Sequence, residues 1–568
     1  MRVTVLAVLL LIAAASFQAS ASRADTATDY LTDHFDNARL GWNPHETVLT
    51  VRNVGPQAFG LRFTIPVDGQ VYAQPLYLHA VAIPQRGTRD VLLVATEHDT
   101  VYAFDAHSGE TLWKTGVAGC CGAEPVDVSY VGVCHVAPEI GISSTPVVDR
   151  AGGTVYVLAK AMRRDGGTMT FHHTLHALAL DTGQERRNPV EITGTTTLTN
   201  RGVFTFGPQW KHNLRRLLGN TLRFDPLVHY SRTGLLLRDG ILYFGYGSHC
   251  HDAEAHGWVF AYRAVDLHQV ASFVTVRDWQ AENGGGVWQG GVGISADHDG
   301  ALYLASGYGP FDANDGGANY ADSALKLSPD LRVVDYFTPY TQAELAQNKG
   351  DFGGTGIVVL PDQPGPYPHL ALAASKMRAL FLLDRDHLGN YTPGGPDKVL
   401  QVIGDEHDRT DWCIGTCGSS AYYEGPTGRV IFNVWAQDAL RAYRLVTSGQ
   451  RPHLVPAGHS PNIFPGSGGA TPTVSSNGNR PETGIVWVTT RPNINEVRTR
   501  PVQLFAYDAT DLSHVLFSAP IGLWPNSKGH PFLTPTVVDA SVYVGGYDRV
   551  WVFGLHRPPL ASARKNAR

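Results

Sequence analysis

The sequence predicts an all-β protein, a single closed ring of eight four-stranded antiparallel blades, and three observations predict it. The first is composition. Of 568 residues, 61 are Gly and 35 are Pro, and only 17% are charged. An average globular chain carries about 12% Gly plus Pro and about 25% charged residues, so this chain is rich in turn-formers and poor in charge. That excludes a coiled coil, a long helical bundle and a charged disordered polymer. With 45 basic against 51 acidic residues there is no cationic excess to neutralise phosphates, which argues against nucleic-acid binding.

The second observation is a recurring phrase, a small residue, often followed by Pro, that opens a short apolar strand. It stands at Ala73-Gln74-Pro75-Leu76, Ser144-Thr145-Pro146-Val147, Ala470-Thr471-Pro472-Thr473 and Leu533-Thr534-Pro535-Thr536. Weaker copies stand at Arg232-Thr233-Gly234, Gln289-Gly290-Gly291, Gly354-Thr355-Gly356 and Ser419-Ser420-Ala421. The eight copies have a mean spacing of about 66 residues between Pro75 and Pro535.

The third is an alternating strand that follows each copy and ends in a turn. It is clearest at Val101–Asp105, where period-2 alternation marks a half-buried strand, Asp105 and Gly109 suit the turn, and Trp113 is a plug between neighbouring sheets. Its counterparts begin at Leu175, Val259, Ala324, Leu380, Leu440, Leu504 and Val550. Repeating antiparallel units with no helical period between them give a radial β-propeller, small-residue strands at the axis. The competing arrangement is two separate β domains.

In chain order, residues 1–21 read as a secretory signal: Arg2, the apolar run Val3–Ala15, then Ala19-Ser20-Ala21 as a cleavage site. That run falls short of the roughly 20 residues a membrane span needs, and no other run is long and apolar enough. The mature protein is expected to be soluble, periplasmic or secreted. Residues 22–59 form an N-terminal segment, and the propeller covers 60–556. The strand Gly60–Pro66 is expected to close the ring by joining the last blade. Residues 187–228 are a basic insertion, 338–350 a short helix, and 557–568 a disordered tail. An oxidising compartment permits disulfides. Cys413 with Cys417 is a reasonable local bridge; Cys134 has either Cys120 or Cys121 within reach, with a ring between the adjacent Cys120 and Cys121 as the alternative, and Cys250 stands alone. The absence of C-x-x-C-H excludes covalent haem c.

The phrase Asp105-Ala-His-Ser-Gly109-Glu-Thr-Leu-Trp113 matches the D-x-x-[ST]-G-x-x-x-W repeat of pyrroloquinoline quinone (PQQ) propellers. From Gly60 to Leu555 the chain resembles the quinoprotein alcohol dehydrogenase superfamily, an eight-bladed fold. It is most similar to secreted PQQ-like propellers, through Asp68–Pro75 and Ala95–Asp105. The resemblance implies a site. Gly284-Gly285-Gly286-Val287-Trp288, followed by Tyr303–Gly309, matches the order of the family's G-G-G-x-x-W and G-[ST]-G-N segments, which makes Trp288 the platform for a quinone ring. Asp351 stands where the family carries its base, just before the fifth inner strand, and Lys376 where many members carry a cation beside the quinone. The family's calcium takes a Glu, matched here by Asp252, and an Asn, where this chain has Tyr308. Calcium needs hard oxygen ligands, so one ligand is shortened and one lost.

The loop His249-Cys250-His251-Asp252-Ala253-Glu254-Ala255-His256 has donors for a transition metal, although strand alternation splits them between two faces. Two function classes follow. In the first, the protein is a PQQ- and Ca-dependent oxidoreductase taking an alcohol or sugar hydroxyl and passing electrons to a separate acceptor. In the second, it is a non-catalytic propeller that binds protein or glycan.

Overall fold

Eight sheets stand around one axis in the computed structural model, which describes residues 28–132, 136–199, 221–249, 255–278, 284–348, 350–404, 418–466, 469–493, 495–526 and 532–556. Blade one is typical: Leu76–Ile83, Gly87–Ala95, Thr100–Asp105 and Thr111–Gly116 pair antiparallel from the axis outward. The inner strands of blades two to eight are Val147–Asp149, Leu236–Arg238, Ser295–Ala296, Val358–Val359, Ala421–Gly425, Thr473–Ser475 and Thr536–Val538. They are short because the axis is narrow. Each alternating segment read from the sequence is the third strand of its blade, from Thr100–Asp105 to Arg549–Leu555.

One repeat assignment needs correction. Gln289–Gly291 is a 3₁₀ turn, and the fourth inner strand begins at Ser295. The turn inserts Trp288 and Gln289 ahead of the strand, so the opening phrase is displaced from its register.

Phe59–Pro66 pairs antiparallel with Arg549–Leu555 and is the outer strand of blade eight. The ring is therefore closed by backbone hydrogen bonds between its two ends. Phe59 is fully buried there, against Trp487, Phe517 and Phe553. Between blades one and two, Trp113 is buried and its indole N–H donates to the Leu180 carbonyl at 2.9 Å.

The segment before that strand has a larger role. Residues 30–43 wind round the axis and bond to the inner strand region of every blade in ring order. Tyr30 pairs with Tyr77, the Leu31 carbonyl accepts from Val148, and the Thr32 hydroxyl donates to Leu235. The Asn37, Ala38, Leu40 and Gly41 carbonyls accept from Ala296, Val359, Tyr422 and Val474. The Asn43 amide donates to Val537 of blade eight. Arg39, fully buried, sits within the coil: Nε donates to the Ile294 carbonyl, Nη1 to the Thr32 hydroxyl and Asp33 carbonyl, and Nη2 to Leu235. The axis is thus occupied by a thread hydrogen-bonded to all eight blades.

In the region read as the insertion, Val190–Glu191 is paired with Thr168–Ala179 and belongs to blade two, and Thr195–Thr197 and Thr221–Arg223 form a small hairpin. The helix read near 338–350 is Gln342–Asn348. The signal at 1–21, the tail at 557–568, Cys134, Cys250, Cys413 and Cys417 lie outside the described residues, as do the side chains of Cys120 and Cys121. Among the described residues no helix is long and apolar enough to cross a membrane.

Arg39→Met strips donors from buried acceptors, the Thr32 hydroxyl and the Asp33, Leu235 and Ile294 carbonyls. Leaving a buried acceptor unsatisfied costs about 1–3 kcal/mol, so urea denaturation is expected to show a loss of at least that order. A loss below about 1 kcal/mol, the worth of an exposed ion pair, would show that the thread does not hold the ring.

Candidate functional site

The inner strands all begin at one end of the axis, where the turns between second and third strands also lie. Asp351 sits there, in the connection entering blade five, and Lys376 in the turn after Leu370–Ala374 of the same blade. The structure brings them together: Lys376 Nζ donates to Asp351 Oδ2 at 2.7 Å, and Asp351 is 1% exposed. Asp351 Oδ1 accepts from the Gly353 amide at 2.9 Å. Glycines make room for the pair. A Cβ on Gly307 would stand 2.8 Å from Asp351 Oδ1, and one on Gly353 would stand 2.3 Å from the Gly307 amide nitrogen.

Behind the pair lies Asp322, fully buried and absent from the sequence reading. Its oxygens accept from the Phe352 amide and the Gln342 side chain at 3.2 and 3.3 Å. Burial, and next the charge on Asp351, push its carboxyl well above the usual carboxylate range.

Trp288 lies on the adjacent loop, joined to the Asp351 loop where the Gln289 amide donates to the Gly353 carbonyl at 3.2 Å. Its indole is laid on backbone: a Cβ at Gly247 or Gly286 would stand 2.6 or 2.7 Å from the ring system. Tyr308 is buried at the position of the family's amide ligand, and its carbonyl accepts from Gly285 at 3.2 Å. Asp252 lies outside the described residues, as do Cys250, His251 and Glu254. Of that loop's histidines, His249 meets Lys160 Nζ at 2.9 Å, and His256 Nδ1 meets the Val276 carbonyl at 2.9 Å. Each of these nitrogens faces a protein partner.

A second charged cluster at the same end was not read from the sequence. Glu97, fully buried, accepts from Ser143 Oγ at 2.6 Å and the Gly141 amide at 2.9 Å. Burial pushes its carboxyl up from 4.5 to about 7, although these hydrogen bonds and the Arg232 charge pull it down. The Arg232 guanidinium lies 4.8 Å from the Phe532 ring centroid and 5.7 Å from that of Tyr72, a desolvated cation–π arrangement. Tyr72 meets Trp524 edge-on at 5.2 Å. Burial lowers the Arg491 guanidinium to about 10. One signal was available: Glu97, Lys376 and Arg491 occupy equivalent turns in blades one, five and seven, each just past a second strand.

The architecture has close counterparts. A quinohemoprotein alcohol dehydrogenase from Comamonas testosteroni superposes with a TM-score of 0.57 at 16% identity, covering 95% of this chain and 83% of that chain. A europium-containing methanol dehydrogenase gives 0.57 at 12% identity over 94% and 99%. The chain has the eight-bladed fold of the quinoprotein dehydrogenases. A further quinohemoprotein alcohol dehydrogenase, from Pseudomonas putida, gives 0.54 at 14% identity over 93% of this chain and 80% of that chain. No family model and no curated protein sequence matches.

PQQ and calcium are the groups that the resemblance in the sequence leads one to expect, and the described residues bear on each. Trp288 on its glycine bed offers a planar surface, and Lys376, Arg232 and Arg491 supply cations at the same end for an anionic, planar group. For calcium, the amide position is held by Tyr308, a phenol on a rigid ring, which does not suit that ion, and Asp252 lies outside the described residues.

Lys376→Met would leave Asp351 buried without its ammonium partner. The expected cost is about 3–5 kcal/mol, and the double variant Asp351→Asn, Lys376→Met should recover most of it in urea melts; no recovery would show that the two do not act as a pair. Glu97 yields a pH test. Between about 4.5 and about 7 the native state holds a proton that the unfolded chain releases, so Glu97 lowers stability as pH rises through that window, by about 3 kcal/mol in full. Glu97→Gln is expected to flatten the slope between urea midpoints at about pH 5 and about pH 8; an unchanged slope would remove Glu97 as its source.

Proposed function

We propose that the protein is a PQQ-dependent oxidoreductase, periplasmic or secreted, that oxidises an alcohol or sugar hydroxyl at the end of the axis where the inner strands begin. The observation that carries this reading is the Asp351–Lys376 pair, a buried carboxylate and ammonium 2.7 Å apart. PQQ, when bound, supplies the two-electron acceptor. Asp351 takes the hydroxyl proton as general base. Lys376 fixes Oδ2 and the Gly353 amide fixes Oδ1, so the carboxylate is oriented without rearrangement. Trp288 stacks on the planar ring, and Arg232 and Arg491 favour anionic substituents on it. Water is excluded from below by the thread around Arg39. With no C-x-x-C-H in the chain, electrons leave to a separate acceptor. No step is assigned to calcium.

A second reading is favoured by Tyr308: the propeller has given up the metal and binds a protein or glycan on the same face. Addition of PQQ, with and without Ca²⁺, to the purified protein separates the two. The enzyme reading expects quenching of tryptophan fluorescence, lost in Trp288→Ala, and dye-linked oxidation of a panel of alcohols and sugars. Asp351→Asn should retain the quenching and lose about 10²-fold or more of the rate. Absence of quenching, with equal signals from wild type and Trp288→Ala, would sink it.

A further inference from the structure

At the opposite end of the ring, five side chains from blades one and eight meet at the seam where the first and last blades join. Asp90 is on the second strand of blade one, and His107 is in the turn between its third and fourth strands. Asp539 is in the turn between the first two strands of blade eight. His107 Nε2 stands 2.8 Å from Asp90 Oδ2 and 3.7 Å from Asp539 Oδ2. One donor atom from each of the three residues lies within 4.8 Å of the others. His79 Nδ1 holds the other Asp90 oxygen at 2.8 Å, and the Tyr77 hydroxyl donates to Asp539 Oδ2 at 3.1 Å.

We propose that Asp90, His107 and Asp539 bind a divalent transition ion of the Zn²⁺ class that ties blade eight to blade one. Bonds of about 2.0–2.1 Å in a tetrahedral site put ligand atoms roughly 3.3 Å apart; the two His107 separations, 2.8 and 3.7 Å, lie either side of that value, and the two carboxylate oxygens lie within 4.8 Å of each other. One imidazole nitrogen between two carboxylates is a borderline donor set, suited to Zn²⁺ and poor for Mg²⁺, which demands an octahedron of oxygens. A fourth position is left to water. His79 and Tyr77 orient the two carboxylates, as outer partners orient ligands in metal sites. His107 and Asp539 are 51% and 44% exposed, so an ion has access from solvent. The ion would add a second closure to the ring, independent of the pairing between Phe59–Pro66 and Arg549–Leu555.

The test uses the full-length protein stripped with chelator, and Zn²⁺, Co²⁺ and Mg²⁺ as the probes. Wild type is expected to bind one more equivalent of Zn²⁺ than His107→Gln or Asp539→Asn, to melt at a higher temperature with Zn²⁺ than without, and to give visible d–d absorption with Co²⁺. Both variants should lose the melting shift, and their far-ultraviolet circular dichroism shows whether they are folded. Because the loop from His249 to His256 has donors of its own, the difference between wild type and variant is what is read. Retention of the equivalent by both variants overturns the proposal. So does a wild type that binds none, or an equal melting shift with Mg²⁺.

Discussion

The inner strands of a propeller have a free edge facing the axis, and those edges must be hydrogen-bonded or wetted. Here they are met by protein. Residues 30–43 bond to every blade in turn, and the Arg39 guanidinium is shared among carbonyls of the thread and of blades three and four. A buried cation is tolerable only where its donors are all directed at acceptors. The acceptors it uses fix the thread, and the thread fixes the eight inner strands relative to one another. Everything at the other end, including the loops carrying Trp288 and Asp351, is built on strands held in this way.

Eightfold repetition then turns position in sequence into position in space. Turns after second strands fall at the same level of the axis, so residues as distant as Glu97, Lys376 and Arg491 share one end. The charges there are divided. Asp351, Lys376 and Asp322 lie at blades four and five, while Glu97, Arg232 and Arg491 come from blades one, three and seven. Each carboxyl is buried beside a cation or amide donors, and the differences in compensation separate Glu97 and Asp322 from ordinary carboxylates. Such separation is a feature of sites that handle protons and anionic ligands.

The ring was legible because repetition is a property of the string: a small residue, a short apolar strand and an alternating strand recur whatever surrounds them. The fourth copy misled where a 3₁₀ turn with Trp288 and Gln289 intervenes, since glycine pairs mark turns as readily as strand starts. The resemblance marked Asp351 and Lys376 separately; the two stand 25 residues apart with no local periodicity to join them, and the structure supplies their contact. The thread was not legible at all. Its residues mix polar and apolar side chains without a period, and its partners are spread along the chain, so no window of sequence contains both sides of one of its bonds to a blade. Asp322 and Glu97 were missed for a related reason: an acidic residue in a turn reads as solvated until the neighbouring blades cover it.

The thread also sets an order of events for a newly made chain. Its residues are made before the blades they bond to, and the Asn43 amide finds its acceptor at Val537, 494 residues later. Closure of the ring waits likewise for Arg549–Leu555 to reach Phe59–Pro66. Loops of that length are costly to close and form slowly, so early blades must stand with open inner edges while the rest is synthesised. The last blade supplies the final bond of the thread and the partner of the first strand together, so the making of blade eight, more than the folding of any earlier blade, marks the point at which the ring can lock.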